Sequence, residues 1–160
     1  MIILSKNVSA GLIVGLAIIV IVVSAVFFMI TKFQPTVTLY LGDGVFNAKI
    51  ANTQSAREKG LGGVAVLGPK QALILEFPSD DKWQIWMKDM KIPIDIIWLD
   101  KDKKVIYLVK NASPDTSTDL IYTPKTAARY VVEVPAGTIE SKTIRTGRAA
   151  VFDINEGDIK

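Results

Sequence analysis

Neither histidine nor cysteine occurs in the 160 residues. Their absence removes Ser-His-Asp and Cys-His nucleophilic catalysis, the usual zinc ligands, and haem or iron–sulfur ligation through those side chains. No disulfide can form, so cysteine usage says nothing about the redox compartment. A nucleotide cradle is missing too. Gly60-Leu-Gly-Gly63 lacks the Gly-Lys-Ser/Thr ending of a phosphate-binding loop and does not join a strand directly to a helix. Asp100 and Asp102 alternate with Lys101 and Lys103, a pattern of a solvated turn rather than of an oxygen-ligand cation site. Neither a metal nor an organic cofactor is expected. What remains for chemistry is carboxylate, lysine, hydroxyl and arginine.

Charge is absent from one long stretch. From Val8 to Ile30 no charged residue occurs, and Ile, Val, Leu, Ala and Phe dominate. A bilayer core needs roughly 20 such residues as a helix, and no polar face interrupts the run as it would in a surface helix. Ser24 and Ala25 are small, but Val26-Phe27-Phe28-Met29-Ile30 continues the apolar run beyond them. A retained anchor therefore fits better than a cleaved signal peptide. The expected organisation is a short tail over 1–7, a transmembrane anchor over 8–31, a linker over 32–35, a globular domain over 36–154 and a tail over 155–160. Lys6 ahead of the run favours a cytoplasmic N-terminus and an extracytoplasmic domain.

The formal net charge of +3 does not mark a nucleic-acid binder. Lys6 and Lys32 flank the apolar run and all sixteen acidic residues lie beyond it. The globular part is nearly neutral, its lysines are interleaved with aspartates, and no strong phosphate-binding field is expected.

Strand signals dominate after residue 35. Thr36–Leu41 alternates, Gly42-Asp43-Gly44 supplies a turn, and Val45–Ala51 follows as the second arm of a hairpin. Thr53 is placed to cap a short helix ending at Lys59 and stopped by Gly60. Further strands are expected over Ala72–Phe77, Trp83–Met87, Ile94–Leu99, Val105–Val109, Ala127–Val134 and Ala149–Ile154. Pro78–Asp81 reads as a turn, Asn111–Thr126 as a long surface loop and Thr138–Lys142 as one helical turn. The sum is about eight short strands with one or two short helices, a mainly β chain expected to form a compact antiparallel barrel or sandwich.

The richest segment runs from Trp86 to Leu99. It sets Lys88, Asp89 and Asp95 in apolar surroundings, where a buried charge is costly unless paired. Taken in order, Ala51-Asn-Thr53, Arg57-Glu-Lys-Gly-Leu61, Leu75-Glu-Phe77, Trp86-Met-Lys-Asp-Met-Lys-Ile-Pro-Ile-Asp95, Asn111-Ala-Ser-Pro114, Tyr122-Thr-Pro124 and Ala128-Arg-Tyr-Val-Val-Glu-Val-Pro-Ala-Gly137 resemble the domain of unknown function 192 family. The resemblance runs from about Thr36 to Phe152. The chain departs from the family's usual Asn-Thr at Asp89-Met90 and from its usual Gly-Asp at Gly147-Arg148. The resemblance implies a compact fold of strands with few short helices and a secreted or membrane-anchored location. It implies no assigned activity.

Two readings of the polar residues compete. In one, Asp95 is a buried lock, bonded to backbone or ion-paired, with Arg57 and Lys88 as its leading partners and Arg129 third. In the other, Arg57, Lys88 and Asp95 line a small pocket, with Trp86 and Asp89 on its rim and Trp83 beside Trp86 as a stacking platform for sugar rings. Glu133 reads as an outward-facing strand residue, or as a partner for Arg129. Glu76 and Asp95, if they faced each other across a cleft, would suit glycosidase-like acid/base work. The preferred expectation is a non-catalytic binding or accessory module held at the membrane, with an envelope glycan or a membrane protein as partner. The alternatives are a carboxylate- and lysine-dependent hydrolase acting on envelope glycan, and a structural partner in a membrane complex.

Overall fold

The computed structural model describes residues 5–32, 36–114 and 121–154. The chain divides into two compact units, Met1–Gln34 and Pro35–Lys160. The first contains one helix, α1 (Ser5–Lys32). Its side chains are described from Gly11 to Ser24 and all are exposed. Among the described residues no helix is long and apolar enough to cross a membrane.

The second unit is mainly β. Its elements are β1 (Thr36–Leu41), β2 (Gly44–Ala51), α2 (Gln54–Lys59), β3 (Gln71–Asp81), β4 (Ile85–Trp86), β5 (Ile94–Leu99), β6 (Val105–Ala112), β7 (Ile121–Tyr122), β8 (Ala128–Pro135) and α3 (Thr138–Ser141). Six strands form one sheet in the order β1-β2-β3-β8-β5-β6, and β4 pairs with β7 in a separate ribbon. The β1–β2 hairpin turns on Gly42, whose φ is +59° and whose missing side chain matters. A Cβ there would lie 2.1 Å from the Lys142 carbonyl oxygen.

The sheet is mixed, which corrects the expectation of an antiparallel barrel or sandwich. Strands β2 and β3 run parallel, Asn47 opposite Gln71 through Ala51 opposite Leu75. Between them the chain crosses α2 and the glycine-rich segment, a connection long enough to return the next strand in the same direction. Nor does the sheet close into a barrel. The expected strand at Ala149–Ile154 is absent as such. The segment instead makes single bridges to the two sides, Lys104 with Ala149 and Tyr40 with Val151. Gly147 (φ +84°) turns the chain there. The Gly147 N–H donates to the Val105 carbonyl, and the Val105 N–H donates to the Arg148 carbonyl, both at 2.8 Å. The closing turn works through backbone, so the departure at Arg148 changes none of its hydrogen bonds.

Pro78 lies inside β3 rather than in a turn. The register of β3 against β8 shifts between Glu76 and Asp81, and such an irregularity is where a strand tolerates proline. Both faces of the sheet are covered. Alternate residues of the central strands go to opposite cores: Ile74, Ile97, Leu99, Val132 and Val134 pack with Phe152 on one side. Leu73, Leu75, Ile96, Trp98 and Val131 pack with Leu61, Ile85 and Met87 on the other. This two-sided burial explains the nearly continuous apolar runs of β5 and β8.

Candidate functional site

Helix α2 begins where the sequence signals it. The Thr53 hydroxyl accepts from the Ala56 N–H at 3.2 Å, and Gly60 ends the helix in a backbone conformation (φ 49°, ψ −131°) suited to glycine. The helix projects Arg57 over β3. Its guanidinium donates to the Asn52 carbonyl and, at 2.9 Å, to the Glu76 carbonyl. The same group lies 5.4 Å from the centroid of the Phe77 ring. Phe77 stacks on Trp83 with centroids 4.3 Å apart and planes 12° from parallel. Trp83 is held by its indole N–H donating to the Ser79 carbonyl at 2.9 Å.

Beyond α2 the chain turns back at Gly62 and Gly63. The Gly63 N–H donates to the Asp89 carbonyl at 2.8 Å. That bond ties the glycine-rich turn to the loop carrying Lys88 and Asp89. Asp89 has φ 58°, in the left-handed region that aspartate tolerates better than most side chains. Lys88 Nζ sits 5.5 Å from the Trp86 ring centroid, and Trp86 is 47% exposed.

These elements enclose a cavity of about 520 Å³, lined by Arg57, Phe77, Trp83, Trp86, Lys88 and Glu133 together with apolar residues that include Leu61, Leu75, Ile85 and Met90. Mostly apolar lining with a few polar groups is the usual character of a small-molecule site. Of the residues singled out from the sequence, Arg57, Trp86 and Lys88 meet here. Asp89 instead lines a neighbouring surface groove with Gly62 and Gly63.

Asp95 is elsewhere. It is fully buried on β5, where its neighbours Ile94 and Ile96 face the cavity side and Ile97 the other. Its carboxylate accepts from the Asn111 N–H at 2.8 Å and from the Ile139 N–H at 2.7 Å. Asp95 thus joins β5, the end of β6 and the first turn of α3, a helix whose own N-cap, Gly137, offers no side-chain bond. A shift in the β5–β6 register between Ile94 and Ile96, with Asn111 at φ 49°, turns that N–H toward the carboxylate. The structure does not bring Arg57 and Asp95 together, and the reason is strand alternation. Arg129 donates to Asp80 at 2.6 Å, so the expected Arg129–Glu133 pair is not formed.

Glu133 is the residue that sequence reasoning misplaced. It is only 4% exposed and lies on the cavity side of β8, beside Leu73 and Ile96 in the register. Its Oε2 is buried without a hydrogen-bond partner. Burial alone pushes its carboxyl up from 4.5 to about 7, because removing water penalises the charged form. A Cβ at Gly60 would lie 3.7 Å from both carboxylate oxygens, so that glycine sits close beside the carboxylate. Simple alternation had suggested an exposed face. The available signal was Val131-Val132-Glu133-Val134, an apolar run typical of a strand covered on both sides.

Glu76 and Asp95 do not face each other across a cleft. Glu76 is level with Tyr130 of β8 and Asp95 with Val134. That is an offset of about 13 Å along the strand at the usual rise, wider than the separations of glycosidase carboxylate pairs. Neither residue lines the cavity. Among the described residues no group of three or more acidic side chains could hold a metal ion.

The family model of DUF192, described as "Uncharacterized ACR", matches residues 37–152. A UPF0127 protein of Thermococcus gammatolerans is 33% identical over 115 residues, covering 69% of each chain. A UPF0127 protein of Thermococcus kodakarensis is 34% identical over 101 residues, 62% of this chain and 60% of that one. A crystal structure of a protein of unknown function from Novosphingobium aromaticivorans superposes with a TM-score of 0.67 at 25% identity, covering 74% of this chain and 84% of the other.

Proposed function

The chain belongs to the domain of unknown function 192 family, and from that premise we propose that it is a binding module whose cavity takes one ring of a glycan or a similar ring-bearing ligand. One observation carries this reading: four segments far apart in sequence converge on a single aromatic-walled cavity. They are Arg57-Glu-Lys-Gly-Leu61, Leu75-Glu-Phe77, Trp86-Met-Lys88 and the strand around Glu133, all among the motifs that carry the family resemblance. A fold that needed these residues only for packing would have no reason to leave space between them.

The division of labour follows from the chemistry. Trp83 and Trp86 offer flat apolar faces to the apolar face of a ring, with Phe77 stacked against Trp83. Lys88 and Arg57 supply hydrogen-bond donors beside those faces. Arg57 is already oriented by two carbonyls, so little order is lost when a ligand arrives.

In this proposal α1 holds the module at a membrane with the domain outside the cytoplasm. The support is the uncharged run from Val8 to Ile30 and the helical conformation of Ser5–Lys32.

The test is a glycan-panel titration of the full chain followed by tryptophan fluorescence, wild type beside Trp86→Ala and Lys88→Ala. Saturable binding is expected, weakened about tenfold by either substitution with the unfolding midpoint unchanged. Absence of any saturable ring binder in the wild type overturns the proposal. Resistance to extraction at alkaline pH, and loss of that resistance when 1–32 are removed, is the expected outcome for the anchor.

A further inference from the structure

The proposed cavity has a polar end that its aromatic wall does not explain. Glu133 reaches it from β8, a central strand of the sheet, and is more than nine-tenths buried. Its Oε2 is without a hydrogen-bond partner, although buried carboxyl oxygens are almost always bonded. Gly60 lies close beside it, where a Cβ would sit 3.7 Å from both carboxylate oxygens. Leaving a buried acceptor unpaired is costly, and a leucine at the same place would avoid that cost. A fold that keeps the carboxyl at the floor of a cavity keeps it for something that enters.

Resting on the ring-binding reading, we infer that Glu133 is the ligand-contacting residue at the floor of the cavity, accepting at Oε2 a hydrogen bond from a hydroxyl on the bound ring. A hydroxyl suits the site better than an amine. Arg57 and Lys88 already bring two cations to the lining, and a cationic ligand would meet both. A carboxylate or phosphate on the ligand would instead be repelled by Glu133 when ionised, and could bond to it only through the acid proton. A neutral hydroxyl bonds the carboxyl in either protonation state. A sugar hydroxyl and a phenolic hydroxyl share this chemistry, and both come on a ring that stacks on tryptophan.

Two matched probe pairs separate the sources: methyl β-glucopyranoside with its fully O-methylated derivative, and phenol with anisole. Each pair keeps the ring and removes the donor. Binding to the full chain is followed by tryptophan fluorescence and ligand-observed NMR. Wild type is expected to favour the hydroxyl member of at least one pair by about tenfold. The pair that shows the preference identifies the source. Glu133→Leu should bind both members equally and unfold no more easily than wild type. A merely structural Glu133 would not produce that combination. Glu133→Gln, which retains an acceptor, should keep the preference. Should Glu133→Leu fail to fold, the carbonyl stretch of the protonated acid serves instead. It is assigned by its loss in Glu133→Gln, and it should shift with the hydroxyl probe and not with its methylated partner. Equal binding of both members by wild type, a preference that survives in Glu133→Leu, or an unmoved stretch overturns the inference while leaving ring binding intact. Failure of all four probes to bind overturns the ring-binding reading together with it.

Discussion

At the residue scale, two buried carboxyl groups in one domain do opposite things. Asp95 has both oxygens filled by backbone N–H groups from different elements. Asp95→Ala would leave those two N–H groups buried and unpaired, and should cost about 2–5 kcal/mol, read as a lower denaturant midpoint. Glu133 has a bare oxygen and a carboxyl held near pH 7 by burial. In the unfolded chain it titrates near 4.5, and in the folded protein near 7. Between those values the folded state keeps a proton that the unfolded state has released. Its contribution therefore falls as pH rises through that window and levels off above about 7, a full swing of about 3 kcal/mol. The charged residues lining the cavity with it, Arg57, Glu58, Lys59 and Lys88, contribute nothing resolved to this shift, whose cause is burial alone. Glu133→Gln removes the ionisation, so the fall between about pH 5 and about pH 8 should be smaller in that variant by most of this amount. Denaturant unfolding at the two pH values checks it, and equal falls in the two proteins would contradict it.

At the scale of the element, α2 shows how a local signal positions a distant group. The helix has six residues and none of them is buried, so its cap matters more than its packing. Thr53→Ala should cost about 1 kcal/mol and, by loosening the helix that carries Arg57, weaken ligand binding as well. A midpoint shift with an unchanged denaturant slope is the expected reading. The cap, the stop at Gly60, the β1–β2 hairpin and strand β5 were legible from the sequence, because each depends on residues close together in the chain. The parallel pairing of β2 with β3 was not, since nothing in Val45–Ala51 or Ala72–Phe77 encodes which edge the returning strand takes. Asp95 was legible as a buried lock and illegible as to its partners, which are backbone groups with no signature in the side-chain sequence. Arg57, Trp86 and Lys88 were read as site residues from their types. Glu133 escaped because alternation assumes a sheet wet on one face, and β8 lies between β3 and β5 with a core on either side.

For the whole molecule, the segment from Gly147 to Phe152 holds more than its length suggests. It bridges β1 through Tyr40 and Val151 and meets the start of β6 through Lys104 and Ala149. It also buries Ala150 and Phe152 in the core, where Phe152 packs edge-on against Tyr130 at 5.3 Å. Deleting residues from 147 onward should expose strand edges and part of the core. The expected outcome is aggregation or loss of cooperative unfolding, whereas a fragment beginning at residue 33 should unfold in a single transition, as Pro35–Lys160 is a compact unit by itself. That same bridging bears on biosynthesis. Tyr40 and its partner Val151 lie far apart in sequence, so this bridge across the domain cannot form until the chain has been made through Val151.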